Sequence, residues 1–366
     1  MTKPTRPEAA HLMQLMVERA QLVNREIDRM LPDIRPLKFY ESLKEYLEIS
    51  KQRVRPSMAV YEPIRHVVEA GGKRIRPTLC LLACEAVGGD YKKALPTAVA
   101  IELVHTFTLI HDDVMDEDLV RRGRPTAAAI WGNPIAITAG DGLFAIAFRS
   151  IAQNAKVPGV RRETVLRLVE MLSDTCLGLS QGQTMDLLME EESDPTLEQY
   201  LEMIRMKTGV LLEFALKSGA ILGGGTEQQV EMIGRFGAPL GMAFQIKDDL
   251  LNLTGTEEIL GKPRGSDIVR GKKTLMVVHG LHNANRRDAK RLRTILDLPE
   301  SKCTPRVVEE AIGILQEAGS LDFAEKTAND LIREAKSYLT ALPRSEATDA
   351  LRALQEMADF VIHRDR

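Results

Sequence analysis

Apolar residues recur at helical spacing along most of this 366-residue chain, and nowhere do apolar and polar residues alternate long enough to build a sheet. Residues 11–30, 37–53, 58–70, 94–117, 134–154, 160–191, 196–223, 227–252, 273–285, 304–318, 321–341 and 344–362 read as helices. Another opens near Pro77 and stops at Gly88-Gly89, and glycine and proline mark most of the breaks between them. Aromatic residues are only 4% of the chain, thin for a β protein but suited to a core of Leu, Ala, Ile, Val and Met. No low-complexity linker interrupts the pattern. The sequence therefore predicts an all-α fold, a single helical bundle over residues 36–366, preceded by a helical N-terminal extension over 1–35.

Lysine plus arginine number 49 and aspartate plus glutamate 52, a net charge of −3. That balance argues against a nucleic-acid partner, which needs a basic excess, and against an acidic tail. Cys80, Cys84, Cys176 and Cys303 form no CxxC pair; Cys80 and Cys84, i and i+4 in an apolar run, read as buried thiols rather than a disulfide or zinc site. The N-terminal MTKPTRPEAAHLMQ has no apolar signal core, and no uninterrupted apolar run reaches the ~18 residues of a spanning helix, so a reducing cytoplasm is expected.

The charges are not evenly spread. Residues 94–117 form an apolar stretch that turns acidic at its end, in LIHDDVMDEDLVRRGRPT (109–126). Asp112 and Asp116, i and i+4, share one helix face at a C-terminus whose dipole is already negative. A hard cation removes that conflict. Mg²⁺ fits because it uses one or two carboxylates and completes its shell with water and phosphate oxygens. Arg121, Arg122 and Arg124 follow at once, and guanidinium forks match phosphate oxygens. FQIKDDLLNLTG (244–255) repeats the geometry with Asp248 and Asn252, so the two helices are expected to face one another across a central cavity. GGKRIRP (71–77), RMKTG (205–209) and GKPRGSDIVRGKKT (261–274) add cations enough for two diphosphates.

Together GGKRIRP, HDDVMDEDLVRRG, KTG, GQTMDL, FQIKDDLLN and GSDIVRGKKT make the chain resemble the trans-prenyl diphosphate synthases over roughly residues 55–345. The resemblance implies an isoprenoid-synthase bundle, a homodimer, and the Mg²⁺-dependent head-to-tail condensation of isopentenyl diphosphate with an allylic diphosphate. It implies that Asp112, Asp116 and Asp248 ligate three Mg²⁺ ions, with Asp267 reaching a metal through water. Arg121, Lys207 and Lys262 would grip the allylic diphosphate with Lys272 nearby, and Lys73, Arg76, His105 and Arg122 would hold isopentenyl diphosphate. Thr208 and Gln245 would present oxygen dipoles to the reacting carbon, with Gln183 and Asp186 behind them.

Product length should be set on the helix of Asp112, toward its N-terminal side. Phe107 lies about 7.5 Å back along the axis, Thr108 one turn back, and Val104 a turn deeper. An aromatic at Phe107 beside a small Thr108 resembles enzymes that make geranylgeranyl diphosphate; farnesyl or longer products, or a non-catalytic subunit of a heteromeric synthase, are the alternatives. A class I terpene cyclase, which handles one diphosphate, would have no use for GGKRIRP.

Overall fold

The computed structural model describes residues 7–31, 56–255, 264–342 and 348–363. The helix expected over 37–53 lies outside the described residues, as does Lys262. By packing, the chain divides into two compact units: Met1–Met171 with Ser218–Thr226, and Leu172–Lys217 with Glu227–Arg366.

The first unit holds α1 (Pro7–Met30), α2 (Pro56–Glu69), α3 (Ile75–Ala86), α4 (Leu95–Met115), α5 (Ala127–Trp131), α6 (Asn133–Ala152) and the start of α7 (Arg162–Glu191). Helix α1 packs on α3 and α4 through Leu12, Met16, Val23 and Ile27, a buried stripe at helical spacing. Arg19 fastens it, lying 2.8 Å from a Glu85 oxygen and stacked 3.5 Å over the Tyr91 ring. Helices α4 and α6 run antiparallel. Ser150 donates to the Pro96 carbonyl (2.6 Å) and Asn154 to Thr97 (2.8 Å) at one end, and the His111 ring meets the Ile137 carbonyl (3.1 Å) at the other. Gly140 permits that last contact, since a Cβ there would strike the imidazole. By length and composition both helices could cross a bilayer; here they pack on each other as core helices.

After α4 comes a minimal hairpin, β1 (Val120–Arg121) and β2 (Arg124–Pro125), too short to leave any alternation in the sequence. Its turn residues Arg122 (φ 53°) and Gly123 (φ 73°) are both left-handed, as a type I′ turn requires.

The second unit holds the rest of α7, α8 (Leu197–Ile204), part of α9 (Val210–Gly223), α10 (Glu227–Thr254), α11 (Ser266–Val269), α12 (Leu275–Asn283), α13 (Arg286–Leu296), α14 (Pro305–Glu317), α15 (Ser320–Thr340) and α16 (Thr348–His363). Its central pair is α10 and α15, and α15 offers the narrow face Ala324, Ala328, Ile332, Ala335, Leu339. The helix expected over 196–223 is interrupted by a π-helical turn at Arg205–Gly209. Helix α13 escaped the sequence reading because its segment RRDAKRLRTIL is mostly charged; Ala289, Leu292, Ile295 and Leu296 supply the buried face.

Within the first unit, α3 and the end of α9 approach backbone to backbone. A Cβ on Gly219 would overlap the Cys80 carbonyl, and one on Gly223 would lie 2.5 Å from that of Cys84. Both cysteines are buried free thiols, as expected, and burial pushes Cys84 up to about 12. Gly219→Ala should therefore cost about 1–3 kcal/mol through overpacking, read as a lower Tm. Gly313→Ala, inside α14 with open space around it, should be neutral or stabilising.

Candidate active site

Each Asp-Asp pair is split by the helix that carries it. Successive residues on an α-helix point about 100° apart, so two adjacent carboxylates cannot serve the same face. On α4, Asp112 and Asp116 stay partly exposed, whereas Asp113 is 2% exposed and accepts a hydrogen bond from Arg121 Nε. On α10, Asp248 is exposed and Asp249 is buried, accepting from the Tyr200 hydroxyl (2.7 Å) and the Gln245 amide (2.8 Å). In both, the first acid keeps solvent exposure and the second is buried. Burial raises Asp113 to about 6 against the pull of Arg121, and raises Asp249 with help from the charge of Asp267.

In the first unit the cations gather where α3 begins. Lys73 is exposed. Arg76, in the first turn of α3, lies 3.2 Å from His105 Nε2 through its NH1. A guanidinium only donates, so Nε2 accepts and the ring proton belongs on Nδ1. Burial, then the charges of Arg76, Arg122, Arg121 and Arg74, push His105 well below its ordinary 6.5. The structure thus sets His105 against Arg76, as a neutral acceptor. The Arg122 guanidinium lies under Gly72, where a Cβ would come within 2.9 Å of it, and donates to the Gly71 carbonyl. Burial lowers the pKa of Arg122. Arg121 spans Asp113 and Asp118, the latter at 3.4 Å. Ala70, Leu109, Asp113, Arg121 and Arg122 line a small cleft.

Of the residues expected to set product length, Val104 is fully buried, and Thr108 donates to the His105 carbonyl (2.9 Å). Phe107 heads an aromatic row. Its ring centroid lies 5.4 Å from that of Phe144, which lies 5.0 Å from Phe148, both on α6. The sequence reading missed these two; their i, i+4 spacing was the signal available.

In the second unit the π turn presents Lys207 and Thr208. It fits against α7 and α10 because Gly182, Gly209 and Gly241 have no Cβ: one on Gly182 would lie 2.7 Å from Lys207 Cα, one on Gly241 2.9 Å from Gly209 Cα. Lys207 Nζ reaches Asp186 at 2.6 Å, and Lys272 Nζ reaches Asp186 at 3.4 Å and Glu190 at 3.3 Å. Burial opposes ionisation of Asp186, but the two lysines outweigh it and hold its pKa low. Gln183 is on α7 one turn before Asp186. Thr208 donates to Gln245 Oε1 at 3.2 Å, while the Gln245 amide is held by Asp249. Asn252, which repeats the i, i+4 spacing from Asp248, is 1% exposed and committed elsewhere. Its amide donates to Ser266 (2.8 Å) and its oxygen accepts the backbone N–H of Asp267 (3.3 Å). It ties α10 to the start of α11, where Asp267 sits.

Among the described residues no three His, Cys, Asp or Glu side chains converge into a metal cage. Outward-facing Asp112, Asp116 and Asp248 nevertheless suit Mg²⁺, which keeps waters and takes substrate phosphate oxygens.

Residues 57–315 match the polyprenyl synthetase family. The chain belongs to that family. A short chain isoprenyl diphosphate synthase of Methanothermobacter thermautotrophicus is 43% identical over 354 residues, 97% of this chain and 99% of the relative. A geranylfarnesyl diphosphate synthase of Aeropyrum pernix is 39% identical over 286 residues, 78% of this chain and 87% of the relative. The crystal structure of a geranylgeranyl pyrophosphate synthetase from Pyrococcus horikoshii superposes with a TM-score of 0.84 at 38% identity, covering 97% of this chain and 99% of that one. This polyprenyl synthetase is therefore an all-α prenyltransferase that makes a polyprenyl diphosphate, in a family that works with diphosphates and a divalent metal. The cyclase alternative falls with that membership.

The neutral His105 has a consequence for stability. Its folded pKa is below 6.5, so below that pH the unfolded chain binds the extra proton and stability falls as pH falls, by at most roughly 1.4 kcal/mol per pH unit. The drop in Tm between pH 7.5 and 5.5 should be smaller in His105→Gln than in the parent.

Proposed function

We propose that this synthase joins isopentenyl diphosphate head to tail to an allylic diphosphate, with Mg²⁺, and that its product is geranylgeranyl diphosphate. The observation carrying the reading is the split of each acidic pair by burial: Asp112, Asp116 and Asp248 keep solvent exposure at the helix ends while Asp113 and Asp249 are buried. Asp112, Asp116 and Asp248 would hold three Mg²⁺ ions, whose charge would stabilise the departing diphosphate. Arg121, Lys207, Lys262 and Lys272 grip the allylic diphosphate, Lys207 and Lys272 exchanging the Asp186 carboxylate for phosphate oxygens. Asp267 would stand near a metal as a carboxylate reaching it through water, and Gln183 and Asp186 support the lysines.

Lys73, Arg76 and Arg122 take isopentenyl diphosphate at the N-terminus of α3, which no side chain caps and whose N–H groups favour an anion. His105 orients Arg76 there. When the allylic C–O bond breaks, the electron pair leaves with the diphosphate and a carbocation remains. Thr208 and Gln245 meet that cation with oxygen dipoles fixed by the hydrogen bonds through Asp249 and Tyr200. The isopentenyl double bond forms the new C–C bond and the departed diphosphate accepts the released proton. Apolar walls exclude water from the cation.

The same reading includes a homodimer, supported by Leu177 and Leu188, exposed three turns apart on α7, and a cytoplasmic location, supported by the four free cysteines. Phe107, backed by Phe144 and Phe148, with Thr108 and Val104 beside and below it, is the floor that stops chain growth. A geranylfarnesyl product is the second reading, favoured by the Aeropyrum pernix relative.

Purified protein given labelled isopentenyl diphosphate, Mg²⁺ and each allylic primer should extend a primer. Asp112→Asn and Asp248→Asn should each lower kcat by roughly 100-fold. No growth with any primer sinks the proposal. Chromatography of the products should show twenty carbons for the parent and longer chains for Phe107→Ala; unchanged length in the variant discards the floor assignment.

A further inference from the structure

One arginine of GGKRIRP is spoken for by the protein itself. Arg74 is 4% exposed, and four of its N–H groups meet protein acceptors. Nε donates to Asn24 Oδ1 of α1 (2.9 Å) and NH1 to Glu102 Oε1 of α4 (2.6 Å). NH1 also reaches the Gly71 carbonyl (3.3 Å), and NH2 the Val68 carbonyl (2.9 Å). Glu102 is 3% exposed, one turn before His105 on α4. Its charge also supports Arg122, which shares the Gly71 carbonyl with Arg74.

Arg74 is bonded in this way while its backbone is left-handed, at φ 50° and ψ 40°, a conformation costly for any residue with a Cβ. Gly71 (φ 77°) and Gly72 (φ 144°) precede it, so the chain turns sharply between α2 and α3. Lys73 sits inside that turn and Arg76 two residues after it. A strained turn persists when the surroundings over-determine it. Here the surroundings are a buried carboxylate, two carbonyls and the side chain of a helix that the sequence left without a role.

We propose that Arg74 is a positioning residue for isopentenyl diphosphate binding: clamped by Glu102 and by Asn24 of α1, it fixes the turn that sets Lys73 and Arg76 toward the diphosphate. Glu102 does two things at once. It neutralises Arg74, so that four guanidiniums can gather around His105, and it anchors the turn to the helix that carries Asp112. Helix α1 becomes part of the substrate site at one remove. The inference rests on the reading of Lys73 and Arg76 as ligands of isopentenyl diphosphate.

The test is steady-state kinetics with each substrate varied separately, beside thermal melts. Replacing both members of a buried pair by apolar residues is often tolerated, whereas removing one strands the other. Arg74→Met/Glu102→Leu should therefore keep a Tm near the parent's. Its KM for isopentenyl diphosphate should rise about tenfold, and its KM for the allylic primer and kcat should change less than about twofold. Asn24→Ala, on an exposed residue, should raise the same KM about threefold. An unchanged KM for isopentenyl diphosphate in both variants, or an equal loss for both substrates, overturns the proposal. If the double variant does not fold, Asn24→Ala alone decides. Lys73→Ala separates the two levels. A raised KM there with none in the Arg74 and Asn24 variants sinks only the clamp. An unchanged KM in Lys73→Ala removes the binding reading beneath it.

Discussion

Arg74, Arg76, Arg121 and Arg122 all bear on His105, and four like charges so close would drive one another apart in an apolar setting. The first unit holds them together because two carboxylates are buried among them. Glu102 takes Arg74 and Asp113 takes Arg121. His105 gives up its own charge. Only then can the start of α3 and the hairpin after α4 present positive charge outward. The arrangement suits a ligand that brings its own negative charge, because a crowded cation cluster relaxes when a polyanion arrives. The second unit solves the same problem with Asp186, which draws Lys207 and Lys272 to one carboxylate. The acids Asp248, Asp249 and Asp267 are kept apart there by committing Asp249 to Tyr200 and Gln245.

Backbone devices deliver these groups. The π turn at Arg205–Gly209 changes the phase of a helix that would otherwise aim Lys207 and Thr208 elsewhere, and three glycines let it pack tightly. The type I′ turn at Arg122–Gly123 returns Arg121 to Asp113. The left-handed Arg74 starts α3 at the angle that its neighbours need. Each device is a local departure from regular structure, and each sits beside a charged group with a role in the proposed chemistry.

Much of the fold could be read in the sequence because a buried helix face leaves a period. The stripe of α1, the run of α4 and the acids at its end, and the long helices α7, α10 and α15 follow from it. Helix α13 could not be read, since four buried side chains among charged neighbours give little pattern. The π turn could not either, as its residues have ordinary helical propensity and only packing makes the extra residue worthwhile. Asn252 misled for a similar reason: by type and spacing it resembles a ligand, and by position it is a tie between α10 and Ser266.

The sequence by itself determined an all-α chain with acids and arginines gathered at helix ends, because helical spacing alone decides which side chains share a face. Tertiary structure decided which of those charges point outward and which are consumed inside. Asp113, Asp249 and Arg74 are each buried beside a more exposed sequence neighbour, and the partners Tyr200 of Asp249 and Asn24 and Glu102 of Arg74 lie far along the chain. Such partners are chosen by burial: a charge removed from water must find its complement, and no local pattern records where that complement lies.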